Sequence, residues 1–313
     1  MKHTLPISLA NAPAPRQGGF TMIEVVIVIM VTAIIGAAVA IFIRMPVRSY
    51  VDSAARADLV DTGDTALRRM SRDLRLALPN SVRVTTDGSG DSYIELLLTR
   101  TGGRYLSTDD NPVAGVGNVL DFYNASTTNT LKFDIVGPIP GQGTILSPEQ
   151  TIQAGSDSVV VYNLGPGIIP ADAYQTTAGS MNRALISGIS GPTITMASNP
   201  FDQQTIKMMS PQHRFQVISG PVTYLCNPTA GTLTRYWNYT IATAQPTSVA
   251  GLTTGSGAQS ALMAKGVSSC KFYYSTSTSM SNALAVLDIQ LMSNDSGNST
   301  VGLFEQVHID NTP

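Results

Sequence analysis

From Phe20 to Ile43 the chain carries 24 mostly apolar residues, and Glu24 is the only charged one. At about 1.5 Å per residue, a helix of that length spans about 36 Å, enough to cross a hydrocarbon layer of about 30 Å with some tilt. Arg44 and Arg48 end the run. The period then becomes that of an amphipathic helix, with Val47, Tyr50, Val51 and Ala54, and later Leu67, Met70, Leu74 and Leu78, on one face. Pro46 predicts a kink or a local loosening, because it removes a backbone donor. Gly63 is a second weak point, and Pro79-Asn80 supplies the stop. The opposite face holds most of eight arginines and five aspartates between residues 44 and 83, with Asp64 four residues before Arg68 as a supporting pair.

Beyond residue 90 short apolar stretches alternate with clusters of Gly, Ser, Asn and Asp. SYIELLLT, NVLDFY, TLKFDIV, DSVVVYNL, PTITMA, HRFQVI, GPVTYL, GTLTRYWNYTI, VSSCKFYYS, ALAVLDIQLM and VGLFEQVHI predict β-strands joined by turns, with no long helix among them. No tandem repeat or charge block divides them. The stretch from Thr243 to Ser260, rich in Gly, Ser and Thr, predicts an exposed loop. The fold class is therefore α+β, a long N-terminal helix with a β-rich globular domain, divided at 20–43, 44–79 and 80–313.

Composition adds exclusions. A formal net charge of −2, with 13% charged residues, gives no basic character for nucleic acid. No GxSxG elbow, P-loop or HExxH is present, so an enzyme is not expected. Three histidines, His3, His213 and His308, are too few and too dispersed for a metal cluster, and no cofactor is implied. Asp109-Asp110-Asn111 and Asn294-Asp295-Ser296 are acidic turns without the alternating carboxylates of a calcium loop. Trp237 with Tyr236 and Tyr239 is the one local concentration of aromatics that a glycan site would want. On a strand Tyr236 faces opposite Trp237 and Tyr239, and core packing accounts for them as well.

Cys226 and Cys270 are the only cysteines, at a separation that matches no zinc motif. In an exported body they predict one disulfide, closing a loop worth roughly 4 kcal/mol in the chain-entropy model. The alternative is two buried free thiols.

The apolar run admits three origins. A cleaved secretory signal needs a shorter apolar run and a small-residue cut site, which Ala38-Val39-Ala40 imitates imperfectly. A plain signal anchor accounts for the length but leaves Glu24 as a cost of about 2.5–3.5 kcal/mol on insertion scales. Gly19-Phe20, the apolar run that follows at once, and Glu24 in its fifth position together resemble the N-terminal signal of type IV pilins and type II secretion pseudopilins. That resemblance implies cleavage after Gly19 by a prepilin peptidase, removal of residues 1–19, N-methylation of Phe20 and retention of the apolar helix. It also gives Glu24 a role as a register mark, facing the Phe20 amine of a neighbouring subunit. The implied localisation is a single pass of the inner membrane with the body in the periplasm, then the fibre at the cell surface.

The stem from Asp64 to Val84, the stretch Ser219–Ile241 and the ending Phe304–Pro313 resemble minor pilins of the mannose-sensitive haemagglutinin (MSHA) pilus. The stem also looks like the J-type pseudopilins of type II secretion. The partners so implied are the prepilin peptidase, other minor pilins and the major pilin. A pilus-tip adhesin binding glycans is a further alternative.

Overall fold

A computed structural model describes residues 18–110, 117–123, 131–137, 150–276, 281–293 and 299–313. Asn111 and residues 294–296, weighed above as calcium ligands, lie outside the described residues, as does most of the 1–19 leader. The chain divides into two units, Met1–Ser53 and Ala54–Pro313. One helix, α1 (Met22–Arg75), runs through both sequence ranges.

In the first unit, large apolar side chains from Phe20 to Ile43 are exposed, among them Ile23, Met30, Ile34 and Phe42. Among the described residues α1 is the one helix long and apolar enough to cross a membrane. Pro46, where a kink or local loosening is predicted, lies inside the helix, which continues through it.

In the second unit the helix buries Ala66, Leu67, Met70 and Leu74. It ends at Arg75, four residues before Pro79. The chain leaves it early because Leu76 and Leu78 engage a strand edge: Leu78 N donates to Leu97 O at 2.7 Å, and Thr99 N donates to Leu76 O at 2.8 Å. Gly63 is a point of close approach rather than a weak point. It is buried, and a Cβ there would collide with Leu303 and Leu291 of the sheet opposite.

The strands are β1 (Arg83–Thr86), β2 (Ser92–Tyr105), β3 (Lys132–Val136), β4 (Ser158–Val160), β5 (Arg183–Ser190), β6 (Thr193–Met196), β7 (Arg214–Asn227), β8 (Thr232–Trp237), β9 (Gln259–Lys265), β10 (Val267–Thr276), β11 (Asn282–Ser293) and β12 (Ser299–Asp310). The stretches HRFQVI and GPVTYL form one strand, β7, which passes through Gly220-Pro221. β1, β5 and β9 lack a clear apolar alternation and were not predicted. Residues 118–123, predicted as a strand, are irregular, although Leu120 and Phe122 are buried.

β2 and β7 pair antiparallel along their whole length, from Ser92↔Cys226 to Arg104↔Arg214, and organise the body. At one end they are flanked by β1 on one side and by β8 and β9 on the other. At the other end β3 joins β2 and β4 joins β7, and the pairs β3–β6, β6–β5 and β5–β4 close a six-stranded ring. Each strand of that ring contributes to one core, including Tyr105, Phe133, Val159, Ile186, Ile194 and Phe215. A closed ring leaves no unpaired edge to protect.

The flanked end forms a different lobe. Its sheet and the separate sheet β10-β11-β12 enclose the buried face of α1 in one core that includes Leu74, Leu96, Tyr224, Phe272, Leu287 and Val307. The chain crosses between these sheets at Gly266, the one residue between β9 and β10. Gly266 has φ +72, and a Cβ there would lie 2.6 Å from the Met292 carbonyl oxygen, so the crossing requires glycine.

The segment Thr243–Ser260 is not simply an exposed loop. It contains a short helix, α2 (Val249–Leu252), N-capped by Ser248, and Leu252 is fully buried against Tyr93, Leu225, Tyr236 and Tyr239. That cluster corrects the expected facing: Tyr236 and Tyr239 share a side, and Trp237 packs on the core beneath α1. β8 stops at Trp237, and Asn238, at φ +58, turns the chain so that Tyr239 swings to the Tyr236 side.

Candidate functional site

At the N-terminus Gly18 and Gly19 precede the helix, nothing crowds the Gly19 Cα, and Phe20 is 80% exposed. The helix opens on Thr21. The Glu24 N–H donates to Thr21 O at 3.1 Å and to Thr21 Oγ1 at 3.4 Å. Thr21 and Glu24 thus hold the positions of a capping box, a T-x-x-E signal that the sequence reading overlooked. Glu24 also lies in the first turn, where a carboxylate faces the positive end of the helix dipole. Its side chain is exposed on an apolar helix.

Cys226 on β7 and Cys270 on β10 are joined as a disulfide, with Cα atoms 6.4 Å apart. Both are buried in the core beneath α1, so the bond links the larger sheet to the three-stranded one.

Sequence reasoning found no buried charge network, yet the helical lobe holds two. On α1, Asp73 is 1% exposed and accepts from Arg235 and Tyr224, while Arg69 lies 3.4 Å away. Burial, then the Asp73 charge, pushes the Tyr224 hydroxyl up. On β2, the fully buried Glu95 accepts from Arg83 and from Tyr239, the latter at 2.7 Å. Burial holds the Glu95 carboxyl above its ordinary value despite both donors. The Arg83 guanidinium also stacks 3.7 Å from the Tyr174 ring centre. Only the strand register brings these partners together, which is why spacing gave no sign of them.

His213 sits at φ +55 with Nδ1 3.2 Å from Asp110 and its ring 5.5 Å from that of Tyr105. Asp109 is 3.9 Å from Nε2. Among the described residues no group of His, Cys, Asp and Glu is arranged to hold a metal ion. His308 is exposed on β12.

A cleft of about 750 Å³ opens beside the C-terminal half of α1, where the two lobes meet. It is lined by Arg69, Arg72, Asp73, Thr99, Arg100, Ser219, Arg235, Trp237 and Met263, among others. A smaller pocket of about 360 Å³ shares Arg100, Ser219 and Asn238 with it and reaches Asp157.

Residues 14–40 match the prokaryotic N-terminal methylation motif. The match covers Gly19, Phe20 and Glu24 together, and it supports a type IV pilin-type protein, a pilin or pseudopilin, processed by a prepilin peptidase. With the exposed apolar helix, it also supports anchoring in a membrane by one helix. Comparison with curated proteins and with solved structures gives no match. The pilin-type motif and the β-rich body suggest a structural, non-enzymatic protein.

Proposed function

We propose that this chain is a minor pilin that takes part in assembling or initiating an MSHA-type pilus. A prepilin peptidase cuts after Gly19, Phe20 becomes the N-methylated first residue, and the apolar helix remains as inner-membrane anchor and polymerisation element. The body faces the periplasm until it joins other minor pilins and the major pilin at the fibre.

The observation that carries this is Glu24 on an otherwise apolar, exposed helix within the matched motif. A carboxylate in low dielectric is tolerated when a partner neutralises it, and a buried pair of that kind specifies alignment more surely than it adds stability. The free Phe20 amine of an adjacent subunit supplies such a partner.

The choice of an MSHA-type fibre rests on the resemblance of three stretches to the minor pilin MshO. The fold supports treating those stretches as one unit. Asp73 of the stem pairs with Arg235 of the second stretch, Ser71 donates to Glu305 of the third, and Asn80 N donates to Asn311 at 3.0 Å. The stem's likeness to J-type pseudopilins keeps a type II secretion pseudopilus as the second reading.

The test uses two substitutions. Glu24→Gln keeps a side chain able to complete the capping box but removes the charge; Glu24→Val removes both. Both variants should insert and be cleaved normally, and both should fail to co-purify with minor pilins. Normal co-purification of Glu24→Gln would assign Glu24 to helix capping alone. Recovery of secretion-system pseudopilins with the unsubstituted chain would favour the second reading.

A further inference from the structure

We propose that the outer edge of β12 is a docking site for an extended, acid-bearing segment of a neighbouring pilin-type subunit. That segment adds a fourth strand to the β10-β11-β12 sheet. The inference rests on the assembly role above and specifies how a partner is held. Unpaired strand edges invite pairing, and proteins guard them with short strands, bulges, lysines or covering segments. The other edges of the helical lobe are managed in these ways. β1 has four residues and is overlaid by the segment at Gln245, which exchanges bonds with Thr85 and with the Arg83 carbonyl. β9 is bulged where it pairs with β8 and ends on Lys265. β10 is tied to the larger sheet by the disulfide and by Ser92 Oγ, which donates to the Cys270 carbonyl.

β12 has none of these guards. It is 12 residues long, lacks lysine and proline, and pairs with β11 in a register without a single shift. Among the described residues β11 is its one ladder neighbour. Its outward face is open as well, and carries Phe304 at 61% exposure. Its inward face runs beside the stem in the same direction as α1: Arg56 donates to Ser299, Leu303 packs at Gly63, and Ser71 donates to Glu305. A strand added to this edge therefore lies along the stem, and its alternate side chains turn towards α1.

What those side chains meet sets the chemistry of the occupant. A groove of about 360 Å³ lies between Arg68, Ser71, Arg72, Arg75 and Leu76 of the stem and Glu305 of β12. β11 takes no part in its walls, so it opens at the bare edge. Arg68 is engaged by Asp64 and Arg72 has a contact of its own, which leaves Arg75 without a partner among the described residues. Leu76, 46% exposed, adds an apolar floor beside it. The groove is thus matched by a strand that turns a carboxylate inward between apolar neighbours, since a guanidinium meets a carboxylate with paired hydrogen bonds. A second copy of this chain is a poorer match. Antiparallel self-pairing through β12 would set two stems head to tail, whereas subunits anchored through their N-terminal helices enter a fibre with stems side by side.

The test compares the mature full-length chain alone with its complex with co-purified minor pilins, both in detergent micelles, by hydrogen–deuterium exchange. The β12 amides that face away from β11 should exchange at least about tenfold more slowly in the complex, with β1 and β9 unchanged. A photo-crosslinking amino acid in place of Phe304 should link to an extended segment of another pilin-type subunit, identified by mass spectrometry. The same residue in place of Tyr273, on β10 across the sheet, should not. Arg75→Glu should lower the Phe304 crosslink about tenfold, as expected when a charge-assisted hydrogen bond is lost. Arg75 is exposed, and far-UV circular dichroism checks that the variant is folded. If the complex forms but β12 exchanges equally in both states, or Arg75→Glu crosslinks normally, the docking proposal is overturned and the assembly role stands. A crosslink to a second copy would also overturn it, and would assign the edge to self-pairing. Failure to co-purify with any pilin would overturn both.

Discussion

Asp73, in the last turns of the stem helix, receives Nε and Nη2 of Arg235 from β8, each at 2.8 Å, and both side chains are almost wholly buried. The Tyr224 hydroxyl donates to the same carboxylate oxygen at 2.8 Å. These buried polar groups tie the helix to the larger sheet. Replacing Asp73 by Ala leaves a buried guanidinium unpaired, which should cost about 3–5 kcal/mol in a denaturant titration. The double variant Asp73→Ala with Arg235→Met should recover a large share of that loss, because no unpaired charge remains. A loss below about 1 kcal/mol for the single variant would show that Arg235 finds another partner.

The disulfide gives a second prediction. Non-reducing peptide mapping of protein recovered from the periplasm should find Cys226 linked to Cys270 and no alkylatable thiol. Replacing both by Ala should lower stability by up to roughly 4 kcal/mol, the chain-entropy value for a loop of this length. Two reactive thiols in native material would contradict it.

The pH dependence of stability follows from Glu95. Burial raises its carboxyl pKa in the folded state above the ordinary value, so the native state holds this proton more tightly than the unfolded chain does. Stability from this site is therefore fully present below the unfolded pKa of about 4.3 and falls as pH rises through the folded value. Asp157, also raised by burial, acts in the same direction. Thermal melts of the unsubstituted protein and of Glu95→Gln across this window should diverge, with the variant showing the flatter dependence. Parallel curves would mean that Arg83 keeps Glu95 ionised throughout.

The apolar run, the amphipathic stem and most of the long strands were legible in the sequence because each carries its own period. Val47, Leu67, Met70 and Leu74 repeat at helical spacing, and β11 alternates almost perfectly. The short strands β1, β5 and β9 were not legible. Their residues gain order from neighbours in the ladder: β5 from β4 and β6, β9 from β8 alone. Nor was the waist cleft legible, since it brings together α1, β2, β8 and β9, from Thr65 to Met263. Gly63 and Gly266 illustrate the same limit. Local propensity reads glycine as weakness, whereas here each marks a backbone approach that a side chain would block.

The most direct test of the pilin-type assignment is the intact mass and N-terminal peptide of the mature protein recovered from membranes. The expected chain begins at Phe20, carries one methyl group on its α-amine, and retains the whole apolar helix with Glu24 as its fifth residue. Replacing Gly19 by a bulkier residue should leave uncut precursor in the inner membrane. A mature chain beginning at Ile41, after Ala38-Val39-Ala40, would mean that the apolar run is a discarded secretory signal, and it would remove both the anchor and the function assigned to Glu24.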